Sequence, residues 1–168
     1  MDDTAHSTSK LTTERLRLRP LIAADAARLE LLFTDSEVRL YLGGPLDIES
    51  ARQKAQAIAT RWGWFAVIEQ STGDAIGFVG FDNGRQVWEV SYMLHRTAWG
   101  RGYGQEATRA AIEWFIEQMP GESIIAVTQL ANVGSRRMLE SLGAEMEHQF
   151  DEFGATQVQY RFPVPMPS

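Results

Sequence analysis

The sequence contains no cysteine, which excludes a disulfide framework, a thiolate nucleophile and any cysteine-ligated zinc or iron–sulfur site. Positive charge is also scarce. Its 16 Lys and Arg stand against 22 Asp and Glu, a net charge of −6, so bulk attraction to nucleic acid or anionic lipid is ruled out and any polyanion must be held by a local device. Charges or glycines interrupt every apolar run short of the roughly 18 residues that a membrane-spanning helix needs. Met1 to Lys10 has neither the basic start nor the apolar stretch of a secretory signal, so the expectation is a polar leader at 1–10 on a cytoplasmic protein. His6, His95 and His148 have no metal-ligand spacing, and no Gly-x-Ser-x-Gly elbow is present. Neither a metal site nor a serine-hydrolase triad is expected.

What is present suits one soluble domain over 11–168: 168 residues, 44% hydrophobic and 23% charged, enough for a single sizeable core. Arg15-Leu16-Arg17-Leu18-Arg19 alternates as a strand with one leucine face buried, and Pro20 stops it. Ala26, Leu29, Leu32 and Phe33 then fall at helical spacing. After the break at Gly43-Gly44-Pro45, a second helix over about Ser50 to Thr60 carries Ala51, Ala55 and Ile58 on one side. Trp64 to Glu69, Ala75 to Phe81 and Val87 to Leu94 read as three antiparallel strands joined by short turns. Ala107, Ala110, Ala111, Trp114 and Phe115 mark an amphipathic helix over Gln105 to Gln118, ended by Pro120-Gly121. Ser123 to Thr128 reads as a buried strand, Ser135 to Leu142 as a helix closed by Gly143, and Glu145 to Phe150 and Gln157 to Phe162 as final strands. The expected architecture is α+β: a mixed, mostly antiparallel sheet of about seven strands flanked by helices.

The stretch that carries chemistry is Trp99-Gly100-Arg101-Gly102-Tyr103-Gly104-Gln105-Glu106-Ala107. Three glycines at alternate positions before a helix leave backbone N–H groups unobstructed at the positive end of the helix dipole. Gly102 and Gly104 permit close approach, and Arg101 can add a charge-assisted contact to a phosphate. The alternative is a plain strand-to-helix turn. A dinucleotide fingerprint would need glycine where Gln105 stands, and the Lys and Ser or Thr of a P-loop are absent.

Arg101-Gly102-Tyr103-Gly104-Gln105-Glu106 resembles the pyrophosphate loop, Arg/Gln-x-x-Gly-x-Gly/Ala, of the GNAT superfamily of acyl-CoA-dependent N-acetyltransferases. It departs at the last position, where Glu106 replaces a small residue, as in the RimJ/RimL branch of ribosomal-protein N-terminal acetyltransferases. Thr13 to Pro20, Glu89 to Leu94, Asn132-Val133-Gly134-Ser135 and Leu139 to Gly143 are similar to segments of the same branch, in the same order.

The resemblance implies acetyl-CoA as acyl donor and direct transfer to an amine, either a peptide α-amine or a small-molecule amine. It implies a strand opening beside Val87 to Leu94 in which the backbone of Met93 and Leu94 pairs with the pantetheine arm. The amides of Arg101, Gly102, Tyr103, Gly104 and Gln105 would hold the pyrophosphate, and Asn132 would bind pantetheine or fix its loop. A homodimer is plausible on the same ground. Arg96, Arg109, Arg136 and Arg137 lie with Arg101 in segments that would meet phosphate, or, for Arg109, Arg136 and Arg137, are solvated helix faces.

Amine acetylation needs a neutral amine and a proton for the leaving thiolate. The tyrosine that many members use as acid is Leu139 here. Ser135 matches a serine that RimL-like members carry near the cofactor sulfur, so it is either the acid or the helix N-cap. Glu89 either serves as a base through water or faces solvent, and Tyr92 reads as core. A peptide α-amine costs only about 1 kcal/mol to deprotonate at pH 7, a lysine about 4–5, so a weak base favours the former. Segment 33–60 would form the acceptor lid, with the loop Asp151 to Thr156 as a second candidate wall. The readings that stay open are an N-acetyltransferase, a non-catalytic acyl-CoA-binding sensor and a plain structural domain.

Overall fold

The computed structural model describes residues 10–167; His6 and the rest of the leader at 1–9 lie outside the described residues. In chain order the strands are β1 (Leu11–Thr12), β2 (Leu16–Pro20), β3 (Trp64–Glu69), β4 (Ala75–Asp82), β5 (Trp88–Leu94), β6 (Ile124–Gln129), β7 (Glu145–Glu152) and β8 (Ala155–Arg161). The helices are α1 (Ala26–Thr34), α2 (Ile48–Ala59), α3 (Tyr103–Gln118) and α4 (Val133–Ser141). Among the described residues the strands form one sheet in the order β1-β2-β3-β4-β5-β6-β8-β7. Every pairing is antiparallel except β5 with β6. The eighth strand, beyond the seven expected, is β1, which pairs only Leu11 with Leu18 and Thr12 with Arg17. Two residues are too few to show a period.

Alternation along the strands sorts the core onto two faces. Leu16, Leu18, Phe65, Val67, Val79, Phe81 and Val90 pack with Ala107, Ala111 and Phe115 of α3. Trp64, Ala66, Ile68, Phe78 and Met93 pack with Leu29 and Phe33 of α1 and Ala51, Ala55 and Ile58 of α2. Helices on both faces explain why β3 is buried along its whole length. Trp62, Trp88 and Trp114 gather around Phe115, with ring centroids 5.2–6.2 Å apart, so the partly buried Trp62 and Trp88 pack against the core. Gly80 admits Trp64: a Cβ there would stand 2.2 Å from the indole Cδ2.

Helix starts differ slightly from the sequence expectation, for identifiable reasons. α3 begins two residues early because Gly102, at φ 77°, turns the chain as N-cap. α4 begins at Val133 because the Asn132 side chain accepts the Ser135 N–H at 3.1 Å.

α1 is tied to the sheet by Arg19, whose two terminal nitrogens each donate to an Asp25 carboxylate oxygen at 2.8 Å; Asp25 Oδ2 also accepts the Ile22 N–H at 2.8 Å. Burial alone would raise the Asp25 pKa, but these bonds overcome it and hold the carboxyl below its ordinary value. Stability from a lowered carboxyl pKa is present above the unfolded value, about 3.9, and disappears as pH falls through the folded value. Asp25→Asn should therefore cost about 1–3 kcal/mol at pH 7 in urea denaturation, and the deficit should shrink below about pH 4. A deficit independent of pH would show that the charge is not what holds α1.

Candidate active site

β5 and β6 begin as neighbours and then part. Their parallel ladder pairs Trp88 with Ile124 and Glu89 with Ile125. Beyond that vertex β5 remains paired with β4 as far as Leu94, and β6 with β8 as far as Gln129. The gap between them opens a cavity of about 820 Å³, lined by Val90 to Leu94 on one side and by Ala126, Val127 and Thr128 on the other. The facing backbone edges have no ladder, and so keep polar groups for a ligand that lies along them.

The open end of the gap meets the glycine loop. Gly100 and Gly102 take positive φ, 72° and 77°, torsions that other residues avoid. Gly104 does not; its place in the first turn of α3 matters because it lines the cavity, and an added Cβ would meet nothing nearer than Leu94 Cδ1 at 3.8 Å. Glu106 N–H is the first to bond back, to Gly102 O at 3.2 Å. Among the described residues the N–H groups of Gly102, Tyr103, Gly104 and Gln105 have no protein acceptor, and Gly102 offers no side-chain cap. Unclaimed donors at the N-terminus of a helix 16 residues long form an anion cradle.

The side chains around this loop depart from expectation. Arg101 Nη2 donates to Glu69 Oε1 at 2.6 Å, and the Tyr103 hydroxyl donates to the same oxygen at 2.6 Å. Tyr103 is buried, and the guanidinium groups of Arg101 and Arg15 lie over its ring at 4.6 and 4.4 Å. The Tyr103 bond, with Arg101 behind it, holds Glu69 below the usual carboxylate range. Arg15 also donates to Arg101 O at 2.7 Å and so braces the loop. The alternating strand revealed Arg15, but nothing in the sequence showed that β2 lies beside the loop. Of the other arginines, Arg96 pairs with Asp35 and Glu37, Arg109 with Pro167 O, and Arg136 with Leu130 O and the Tyr160 hydroxyl.

Midway along the gap, Ser135 and Tyr92 share a short hydroxyl–hydroxyl hydrogen bond, and both line the cavity. Asn132 is the N-cap, so Ser135 is not, and its hydroxyl is released from that duty. Tyr92 is therefore not simply core. Burial pushes its phenol up to about 12 against the opposing bond from Ser135.

Glu89 stands at the vertex, outside the cavity lining, with Arg85 Nε at 3.1 Å. Burial raises its pKa despite Arg85. Asp82, its register partner on β4, does line the cavity. The segment expected as lid supplies Phe33, Arg39, Tyr41 and Lys54 to the same wall. The 151–156 loop does not reach it: Glu152 pairs with Arg85, and Asp151 accepts the Thr156 hydroxyl.

Comparison with known proteins agrees with this geometry. The family described as "Acetyltransferase (GNAT) domain" matches residues 15–145. N-acetyltransferase p20 of Bacillus licheniformis is 33% identical over 152 residues, 82% of this chain and 83% of that protein. An acetyltransferase structure from Agrobacterium tumefaciens superposes with a TM-score of 0.81 at 25% identity, covering 94% of this chain and 95% of its own. The ribosomal-protein-S5-alanine acetyltransferase of Vibrio fischeri shares the fold, with a TM-score of 0.72 at 19% identity over 91% of this chain and 95% of its own. A parted strand pair ending in an N–H cradle, with a family match over most of the sequence, makes the chain an acetyltransferase that belongs to the GNAT family.

Proposed function

We propose that the protein transfers an acetyl group from acetyl-CoA directly to a primary amine, either the α-amine of a peptide or a small-molecule amine, in the manner of the RimJ/RimL branch. The observation that carries this reading is the gap beyond Glu89 and Ile125, with free N–H groups from Gly102 to Gln105 at its open end. These residues fit the donor: the cradle suits a diphosphate, and the edge of β5 from Val90 to Leu94 that faces β6 without a ladder suits the amide-bearing pantetheine arm. Asn132 contributes by fixing the start of α4. Arg101, tethered to Glu69, shapes the loop more than it reaches for phosphate.

Acetyl-CoA supplies an activated thioester. Transfer exchanges its carbon–sulfur bond for a carbon–nitrogen bond, so one proton must leave the nitrogen and one must reach the sulfur. Ser135 donates the second proton to the leaving sulfur with a hydrogen bond from the Tyr92 phenol, which burial keeps protonated, and it regains a proton from solvent as coenzyme A leaves. This pair stands in for the tyrosine replaced by Leu139 and removes the main argument for a sensor without turnover. At the vertex Asp82 faces the cavity and receives the amine proton. Glu89, the base expected from the sequence, acts only from behind it.

Two measurements test these assignments. Gly104→Val should weaken acetyl-CoA binding at least about 100-fold by calorimetry, nearly 3 kcal/mol, with Tm little changed because the site has room. Unaltered affinity would remove the cradle from the account. Ser135→Ala and Tyr92→Phe should each lower kcat about 10- to 100-fold, with acetyl-CoA affinity kept within a few-fold and the double variant no worse than the singles. Because the Tyr92 phenol titrates near 12, Tyr92→Phe should lower the whole pH–rate profile between pH 6 and 10 without shifting its midpoints. Wild-type rates in both variants would assign the proton elsewhere.

A further inference from the structure

The vertex of the gap says something about the acceptor. β4 runs from Gly77, opposite Leu94 near the cradle, to Asp82, opposite Glu89. Five residues of strand at about 3.3 Å each separate the two ends by roughly 16 Å, so charges at the vertex lie beyond phosphate groups held at α3.

Three cationic side chains line the cavity on the α1–α2 side: Arg39 from the turn after α1, Lys54 from α2, and Arg61 just before β3. Two carboxylates share that wall, Asp82 and Glu37, and Glu37 is held by Arg96 at 3.2 Å. Arg39 is only 6% exposed. Its Nε and Nη2 donate to the carbonyls of Gly44 and Leu42 at 2.6 Å each, and among the described residues Nη1 has no acceptor and no carboxylate pairs with the guanidinium. Burial lowers its pKa. Lys54 lies with its ammonium 5.3 Å from the centroid of the Phe33 ring and among the described residues makes no ion pair; burial and the nearby Arg39 charge lower its pKa, while Asp82 pulls it back. In the same wall the buried indole N–H of Trp64 finds no acceptor among the described residues.

A desolvated guanidinium without an anion is costly. Its carbonyl bonds account for the loop but not for the convergence of Lys54 and Arg61 on the same space. We propose that the vertex is a carboxylate-binding subsite and that the amine acetylated is one that carries a carboxylate a few bonds from its nitrogen, a free amino acid or a very short peptide. Arg39 and Lys54 take the carboxylate, Asp82 faces the amine, and Phe33, Trp64 and Phe78 wall the carbon skeleton. Asp82, with the wall's other carboxylate held by Arg96, stands among three cations and suits a zwitterion. This inference rests on the acetyl-transfer reading.

The test uses free amino acids and dipeptides, each paired with its C-terminal amide. The amides are neutral at that end and have the less basic amine, so a preference for the acids runs against intrinsic nucleophile availability. Coenzyme A release should favour the acids at least about tenfold in kcat/KM, and calorimetry on the coenzyme A complex should show the same order of affinity. Lys54→Met should raise KM for the acids about tenfold with kcat nearly kept, and Lys54→Glu should reverse the preference; neither disturbs the carbonyl contacts of Arg39. Equal use of acids and amides, or a preference untouched by both variants, overturns the subsite and leaves acetyl transfer standing. Acetyl-CoA binding with no release from any amine, acidic or neutral, overturns the transferase reading itself.

Discussion

The structure depends on one interrupted ladder. Two parallel strands that pair at Trp88–Ile124 and Glu89–Ile125 and then separate leave backbone donors and acceptors without partners in the middle of a sheet, a costly arrangement unless something else completes it. The fold holds the strands apart from outside. β4 keeps β5 straight as far as Leu94, and β8 keeps β6 straight as far as Gln129. α3 and α4 then start at the open end, so free N–H groups and the Tyr92–Ser135 pair fall along a single channel.

Electrostatics follows from that channel. On the proposed reading an acidic chain, at −6, handles an anionic donor with oriented amides in place of a basic surface. Its arginines mostly brace the frame: Arg15 and Arg101 clamp the Tyr103 ring, and Arg101 is further neutralised by Glu69. At the far end Arg39 and Lys54, which among the described residues have no carboxylate partner, look onto the cavity from the helical lid. On the proposed reading the donor is recognised by main chain and the acceptor by side chain.

Much of this was legible in the sequence. Leu16 and Leu18 announced a half-buried strand, the spacing from Ala107 to Phe115 announced α3, and the glycines announced the turn into it, because periodicity and backbone freedom are local properties. What failed depends on distant contacts. Arg101 was expected to face phosphate, but Glu69 lies next to it in space and 32 positions away in the chain. Ser135 was open between acid and cap until Asn132 proved to be the cap. Tyr92 read as core because its partner across the gap, 43 positions on, cannot be inferred from spacing. Glu89 was expected beside the cofactor, but the ladder places it at the closed vertex, with Arg85.

The central claim is that a coenzyme A thioester completes the missing ladder and fills the cradle. Amide hydrogen exchange resolved by residue, with and without acetyl-CoA, tests it most directly. The account predicts slowed exchange confined to Gly102 through Gln105 and to the stretch from Val90 to Leu94. Unchanged exchange at both places in the presence of saturating acetyl-CoA would contradict it.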